Sequence, residues 1–99
     1  MNEYDNSIFV GDKPFMNYVT GIVMQFTTKE APTVIVKARG KFITRAVDIA
    51  LVAVKRFLAG KIEVTSVRID AEEIRNKDGD LVRVSIIEIT LGRLDDHGR

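Results

Sequence analysis

Two amphipathic segments, each preceded by a short apolar run, constrain the fold of this chain more than any other feature of its sequence. Within each segment the apolar side chains recur three or four residues apart, which is the spacing of one helical face. They are Phe15, Val19, Ile22 and Phe26 in the first segment, and Ile43, Val47, Ala50, Val54 and Phe57 in the second. Because Pro32 and Gly60 then interrupt the two patterns, the spacing predicts helices over about residues 14–27 and 43–58.

The other apolar runs are rich in β-branched residues and predict four strands. Ser7–Val10 and Thr33–Lys37 each precede a helix, whereas the longer Ile62–Ile69 and Val82–Leu91 follow the second helix. The resulting order, β-α-β-α-β-β, predicts an α+β fold. We expect a two-layer sandwich in which two helices lie on one face of a mixed four-stranded sheet.

The two long strands are predicted to form a hairpin, because the polar segment between them ends in Asp78-Gly79, a strong turn signal. A turn centred on these two residues places Arg75 opposite Val82. Residues 71–83 offer little apolar surface that could anchor them to a core. We therefore expect the outer half of the hairpin to protrude as an arm.

The alternation of apolar and polar residues slips by one position within both long strands. In the first, Ile62 and Val64 are out of phase with Val67 and Ile69. In the second, Val84 and Ile86 are out of phase with Ile87 and Ile89. Such a slip predicts either a β-bulge or a strand whose two halves face different environments.

The size and residue types of the chain fit one small intracellular domain. A chain of 99 residues can bury enough surface to fold as a single unit, and we expect an ordered core over about residues 7–92. There is no cysteine, which excludes disulfides and thiolate metal sites and fits a reducing cytoplasm. We see neither a secretion signal nor an apolar run long enough to span a membrane.

Charge is distributed unevenly along the chain. The formal net charge is +1, yet residues 13–60 carry eight cations and two anions. The densest cluster, Lys37-Ala38-Arg39-Gly40-Lys41, stands between the second predicted strand and the second helix. Arginine and lysine bind phosphate oxygens, and glycine allows close approach to the backbone. The cluster is therefore either a phosphate-binding corner or a solvated connector.

Other cations favour a role in binding an anionic partner such as a nucleic acid. Lys13 lies at the start of the first predicted helix and Arg45 one turn into the second, so both could share a surface with the Lys37–Lys41 corner. The arm adds Arg75, Lys77 and Arg83. A basic body with a thin ribbon suits phosphate contacts combined with insertion into a groove. Asp12, which we place with Lys13 in the cap region of the first helix, reduces the positive charge there.

Catalysis finds little support in the sequence. The single histidine, His97, lies in a polar tail next to Asp95-Asp96, and adjacent carboxylates in an extended segment do not converge on one metal ion. Neither of the glycine-rich phosphate-binding motifs GxxxxGK[ST] and GxGxxG occurs. We therefore predict a protein that is not an enzyme and needs no cofactor or metal.

Several blocks of residues, in order and at compatible spacing, resemble the archaeal Alba family of chromatin proteins. They are Gly11–Val19 (GDKPFMNYV), Val36–Lys41 (VKARGK), Arg45–Asp48 (RAVD), Arg56-Phe57 and Ser85–Ile89 (SIIEI). The resemblance spans about residues 7–92. It implies a homodimer that binds double-stranded DNA, and also RNA, without marked sequence specificity and compacts the chromosome in the cytoplasm.

The resemblance also implies roles for individual residues. The basic body and the minor-groove arms would together supply the nucleic-acid contacts, from Lys13, Asn17, Lys37, Arg39, Gly40, Lys41, Arg45, Arg75, Lys77 and Arg83. Phe57 matches a phenylalanine through which dimers associate side by side, and Leu51 adds apolar surface on the same helix. Asp12 stands where the family usually has a basic residue that is acetylated in some members, so we expect weaker DNA binding or a preference for RNA.

Two alternatives to DNA packaging remain open from the sequence. The first is an RNA-binding protein that acts in RNA stability or ribonucleoprotein assembly. The second is a subunit that binds other proteins through its hairpin and second helix, with charges that are only solvated surface.

Overall fold

The computed structural model describes residues 6–94 and confirms the predicted element order. The strands are β1 (Ser7–Phe9), β2 (Thr33–Arg39), β3 (Ile62–Arg75) and β4 (Leu81–Arg93). Helix α1 spans Phe15–Thr27; helix α2 spans Ile43–Val52, follows a 3-10 turn at Gly40–Phe42 and continues into a π-helical turn at Ala53–Phe57. His97 and the rest of residues 95–99 lie outside the described residues.

The four strands form one mixed sheet in the order β1-β2-β4-β3. β1 and β2 are parallel, whereas β4 runs antiparallel to both β2 and β3. The carboxyl ends of β1 and β2 therefore lie at the same edge of the sheet. Since each of these strands leads into a helix, α1 and α2 begin side by side at that edge.

The core lies between the two helices and one face of the sheet. Alternate residues of β2 and β4 are buried there, namely Val34, Val36, Ala38, Ile87, Ile89 and Leu91. Helix α1 contributes Val19, Ile22 and Phe26 of the predicted apolar stripe. Helix α2 contributes Ala46, Ile49 and Ala50, and of these three Ala50 alone belongs to the predicted stripe. The predicted Ile43 and Val47 are partly buried and pack against the core. The opposite face of the sheet, which we call the outer face, carries no helix formed by residues 6–94.

A β-bulge in β3 explains the slip of its apolar pattern. Val64 pairs with Leu91, but Ser66 pairs with Thr90, so Thr65 is the extra residue. The bulge shifts the alternation of side chains along β3 by one residue. The apolar residues before and after it therefore lie on the same, helix-covered face of the sheet. β4 contains no such shift. Its pattern slips because Val84 and Ile86 face outward, whereas Ile87 and Ile89 face the helices.

The hairpin extends well beyond the rest of the sheet. β2 ends where Arg39 pairs with Ile86, so Ala71–Arg75 and Leu81–Ser85 pair only with each other. This arm leaves the sheet at the edge where both helices begin. The overall dimensions of 55 × 27 × 26 Å reflect its length.

The predicted turn register is wrong by one residue, because Arg75 pairs with Leu81 instead of Val82. The reason is the side chain of Asn76, whose Oδ1 accepts hydrogen bonds from the backbone amides of Asp78 and Asp80 at 2.9 and 3.0 Å. These bonds hold a five-residue loop, 76–80, in which Gly79 adopts a φ of +83°. An Asx-type loop of this kind replaces the expected two-residue turn.

Candidate nucleic-acid interface

The loop before α1 and the segment before α2 meet at one edge of the sandwich. The amide of Val10 donates a hydrogen bond to the carbonyl of Lys37 at 2.9 Å, which extends the β1–β2 pairing to the end of β1. The guanidinium of Arg45 then donates to the carbonyl of Gly11. These bonds join the start of the loop that carries Lys13 to β2 and α2, on either side of Lys41, so Lys13 and Lys41 belong to one edge.

Tyr18 fixes the backbone of the loop before α1. Its side chain is buried, and its hydroxyl oxygen accepts hydrogen bonds from the amides of Gly11 and Lys13 at 2.9 and 3.2 Å. The guanidinium of Arg45 lies 5.7 Å from the centre of the Tyr18 ring. Sequence reasoning missed this residue. The available signal was a tyrosine beside the apolar stripe, since a buried phenol normally needs a hydrogen-bond partner.

The predicted cap of α1 is wrong. Pro14 occupies the N-cap position with a ψ of 140°, and no side chain among the described residues caps the helix. Asp12 and Lys13 therefore lie outside the helix, and both are exposed. Asn17, also exposed, follows in the first turn. The charge of Asp12 still lies in the loop that carries Lys13, and so lowers the positive potential there.

The Lys37–Lys41 corner is divided between two surfaces. Strand β2 continues to Arg39, so Lys37 and Arg39 project from the outer face while Ala38 is buried between them. Gly40 then turns the chain with a φ of +50°, a conformation that favours glycine. Lys41 follows at the entry to α2 and is exposed. The corner thus supplies Lys41 to the helix edge and two cations to the sheet.

The two outer-face cations have carboxylate partners. Arg39 Nη2 lies 3.0 Å from Glu72 Oε1, and Lys37 Nζ lies 4.0 Å from Glu88 Oε2. By contrast, none of Lys13, Lys41 and Lys77 forms an ion pair within residues 6–94. A phosphate could therefore approach these three lysines without displacing a carboxylate, which is also true of Arg45 and Arg75, although both of these already donate to a backbone carbonyl.

The cations of the arm differ in their freedom to bind. Arg75 donates to the carbonyl of Gly79 at 2.5 Å and so closes the loop at the tip. Arg83 lies 3.5 Å from Glu73 across the hairpin. Lys77 is exposed at the tip. Of the three predicted arm contacts, Lys77 is the least engaged with the protein itself.

A charged network covers the outer face beside Lys37. Arg68 contacts Glu88 through two hydrogen bonds of 3.2 and 3.3 Å and contacts Asp70 at 2.9 Å. The bonds from Arg68 lower the pKa of Glu88 below its ordinary value. The pKa of Asp70 is lowered chiefly by the backbone amide of Ala71, and further by Arg68. Both carboxylates therefore remain ionised and balance the charges of Arg68 and Lys37, so the net charge of this part of the outer face is close to zero.

Apolar side chains are exposed on the helix-covered side, next to β3. Val67 and Ile69 pair with the buried Ile89 and Ile87 and share their face, yet they are 55% and 76% exposed because neither α1 nor α2 covers them. Leu51 of α2 lines a cavity together with Val64 on the same side. The predicted Phe57 is 53% exposed at the end of the π-helical turn. The sequence analysis named Leu51 and Phe57 as apolar surface but not Val67 and Ile69, for which the available signal was the slipped pattern of β3.

Residues 6–94 contain no group of three or more histidine, cysteine or acidic side chains that could hold a metal ion. Within the same residues, neither helix has the length and apolar character that crossing a membrane requires.

Comparisons with known proteins agree on one family. A family model described as Alba matches residues 6–71. The "DNA/RNA-binding protein Alba" of Methanococcus maripaludis is 42% identical over 87 residues, which cover 88% of this chain and 97% of the relative. The protein of the same name from Nanoarchaeum equitans is 48% identical over 85 residues, 85% of this chain and 93% of the relative.

A solved structure extends this agreement to three dimensions. The structure of Alba from Thermoplasma volcanium matches with a TM-score of 0.82 at 44% sequence identity. The match covers 89% of this chain and 100% of that chain.

Proposed function

Because this chain belongs to the Alba family, we propose that it is an architectural chromatin protein that binds double-stranded DNA without marked sequence specificity and compacts it. The observation that carries the proposal is the edge where both helices begin. There, Arg45 and Tyr18 hold two loops together, and Lys13 and Lys41 are exposed and unpaired within residues 6–94. Such a rigid basic edge suits phosphate oxygens, which carry no sequence information.

The remaining body residues take different parts in this interface. Asn17, in the first turn of α1, and the backbone at Gly40, at the start of the 3-10 turn, would also donate to phosphate. Arg45 acts mainly by positioning the Gly11 loop. Arg39 and Lys37 can contact phosphate once it displaces their carboxylate partners. They therefore add less affinity than the two unpaired lysines.

The arm supplies the second part of the proposed interface. It leaves the sheet at the same edge as the basic loops, so DNA lying against the body would meet it. A two-stranded ribbon is narrow enough to follow a minor groove. Lys77 at the tip, with Arg75 and Arg83 along the ribbon, would contact the sugar-phosphate backbone on either side.

We propose that the functional unit is a homodimer. The support is the exposed apolar surface formed by Leu51, Val64, Val67 and Ile69, because apolar side chains left open beside a core are typical of a partner interface. A dimer doubles the basic edge and presents two arms. Phe57, exposed at the end of α2, would then join neighbouring dimers along DNA. The complex would be cytoplasmic and associated with the chromosome.

RNA is the second candidate ligand. The relatives from Methanococcus maripaludis and Nanoarchaeum equitans are both named as DNA/RNA-binding proteins. A surface that contacts phosphates accepts either duplex, because both carry one phosphate on each nucleotide. RNA binding would serve RNA stability or ribonucleoprotein assembly.

The test is a binding titration with DNA and RNA duplexes of matched sequence at low and physiological salt. We expect binding whose affinity falls steeply with salt, and a loss of about tenfold or more for the double variant Lys13→Gln/Lys41→Gln. The matched control is Lys29→Gln, an exposed lysine beyond the far end of α1. If neither duplex binds in a salt-dependent way, the proposal is wrong and a role in binding other proteins becomes the better interpretation.

A further inference from the structure

The outer face of the sheet contains a groove that overlaps the proposed duplex interface at its cations, but whose apolar residues that interface does not use. It has a volume of about 640 Å³ and lies between β1, the Gly40–Phe42 turn and the base of the arm. Its floor is aliphatic, formed by Ile74, Val84 and Ile86. A groove with an apolar floor that opens on the surface is suited to a flat, partly apolar group.

Aromatic rings and cations alternate around this groove. Phe9 is 68% exposed on the outer face, with Lys37 Nζ 5.3 Å from the centre of its ring. Phe42 lines the groove near its other end, with Lys41 Nζ 5.4 Å from its ring centre. Proteins that bind single-stranded nucleic acid combine these two elements, because bases stack on aromatic rings while cations follow the phosphates.

We propose that this groove binds an unpaired nucleotide of single-stranded nucleic acid. The base stacks on the exposed ring of Phe9 above the aliphatic floor. The adjoining phosphate contacts Lys41, which has no carboxylate partner within residues 6–94, and then Arg39. The site shares these two cations with the proposed duplex interface but depends on Phe9, which that interface does not include.

Glu72 acts as an internal competitor for the phosphate. Its carboxylate lies 3.0 Å from Arg39 Nη2, and the two residues come from β3 and β2, on either side of β4. Their ion pair therefore crosses the floor of the groove above Val84 and Ile86. A phosphate that binds Arg39 must displace this carboxylate, so removing the charge of Glu72 should strengthen binding.

The experiment measures fluorescence anisotropy of a short labelled oligouridylate, an oligothymidylate and a duplex, with wild type, Phe9→Leu and Phe9→Tyr. Loss of one stacking ring should weaken binding of the single strands by about tenfold, whereas Phe9→Tyr, which keeps the ring, should bind as wild type. Duplex affinity should be unchanged in both variants.

The variant Glu72→Gln should bind single strands more tightly than wild type. Met24→Ala, which removes an exposed apolar side chain from α1, is the control.

Three results would overturn the site. The first is a single-strand affinity that Phe9→Leu leaves unchanged. The second is a Phe9→Leu variant that loses affinity for the single strands and for the duplex equally. The third is a Phe9→Leu variant whose oligomeric state, measured by light scattering, changes while its binding does not. The last would mean that the outer face contacts a second copy. A wild-type protein that binds single strands but no duplex would overturn the proposed function and leave this site standing.

Discussion

The hydroxyl oxygen of Tyr18 lies 2.9 Å from the backbone nitrogen of Gly11 and accepts its hydrogen bond. The same oxygen accepts from the amide of Lys13 at 3.2 Å. One buried side chain of α1 thus sets the conformation of the loop that carries the first candidate cation. The guanidinium of Arg45, which covers the Tyr18 ring and donates to Gly11, links this loop to α2.

Tyr18→Phe should lower both stability and nucleic-acid affinity. The ring and its contact with Arg45 remain, but two part-buried amides lose their acceptor, at a cost of about 1–3 kcal/mol in the free energy of unfolding. Chemical denaturation measures this change. Duplex affinity should fall about two- to fivefold at a temperature where the variant is folded, because Lys13 is no longer held in place. An unchanged affinity would show that the loop conformation does not matter for binding.

Asp12→Lys should strengthen binding to duplex DNA. Asp12 is exposed in the loop that carries Lys13, so the substitution replaces repulsion of phosphate by attraction. We expect the affinity to rise by up to about fivefold for each protein chain that contacts the DNA. The slope of log affinity against log salt concentration should become steeper by about one for each new phosphate contact. Glu30→Lys makes the same charge change after the far end of α1 and serves as the control. Equal effects of the two substitutions would contradict a local role for Asp12.

The sequence predicted the architecture because the information was local. The spacing of apolar residues within each segment determines both helices, and four β-branched runs determine the strands. Even the slipped pattern of β3 was visible in Val64 and Val67 before the bulge at Thr65 explained it.

Contacts between distant residues were not predictable in the same way. The Arg39–Glu72 ion pair depends on the register of three strands, and the bond from Arg45 to Gly11 depends on how two loops meet. The turn was misread because Asp78-Gly79 was the stronger dipeptide signal, whereas the side chain of Asn76 organises the loop. Candidate cations could thus be named from sequence, but their partners could not.

Stability should fall in acid as the outer-face carboxylates become protonated. The pKa of Glu88 is lowered by Arg68, and the pKa of Asp70 by the amide of Ala71 and by Arg68, with Lys37 also facing Glu88. Because each pKa is lower in the folded state, the unfolded chain binds more protons in acid. The stabilisation is present above the ordinary values of 4.5 and 3.8 and is lost as the pH falls through the lowered ones.

Urea denaturation across the acid range measures this effect. Glu88→Gln, which cannot titrate, should have a flatter dependence of unfolding free energy on pH than wild type below the ordinary value of 4.5. The two curves should run parallel near neutral pH. Parallel curves throughout the acid range would contradict a lowered pKa at Glu88.

Arg93→Ala should destabilise the fold without affecting DNA contacts. Arg93 Nη2 donates to the carbonyls of Phe26 and Ala31 at 2.9 and 3.0 Å, and its guanidinium lies 5.4 Å from the Phe26 ring centre. It therefore ties the end of α1 to the end of β4. We expect a loss of about 1–3 kcal/mol in the free energy of unfolding. Arg83→Ala, in the arm, should cost far less; equal costs would contradict the prediction.

Ile69→Asp should convert the proposed dimer to monomers. Ile69 is 76% exposed on the helix-covered side, where a partner subunit would bury it, and a carboxylate buried there without a partner is strongly unfavourable. The fold itself should survive because Ile69 contributes little to the core. Size-exclusion chromatography with light scattering measures the change, and Met24→Asp places the same charge on an exposed position of α1 as control. Since a monomer carries one arm and one basic edge, duplex affinity should fall by about a hundredfold or more. A dimer that persists in Ile69→Asp would place the subunit interface elsewhere.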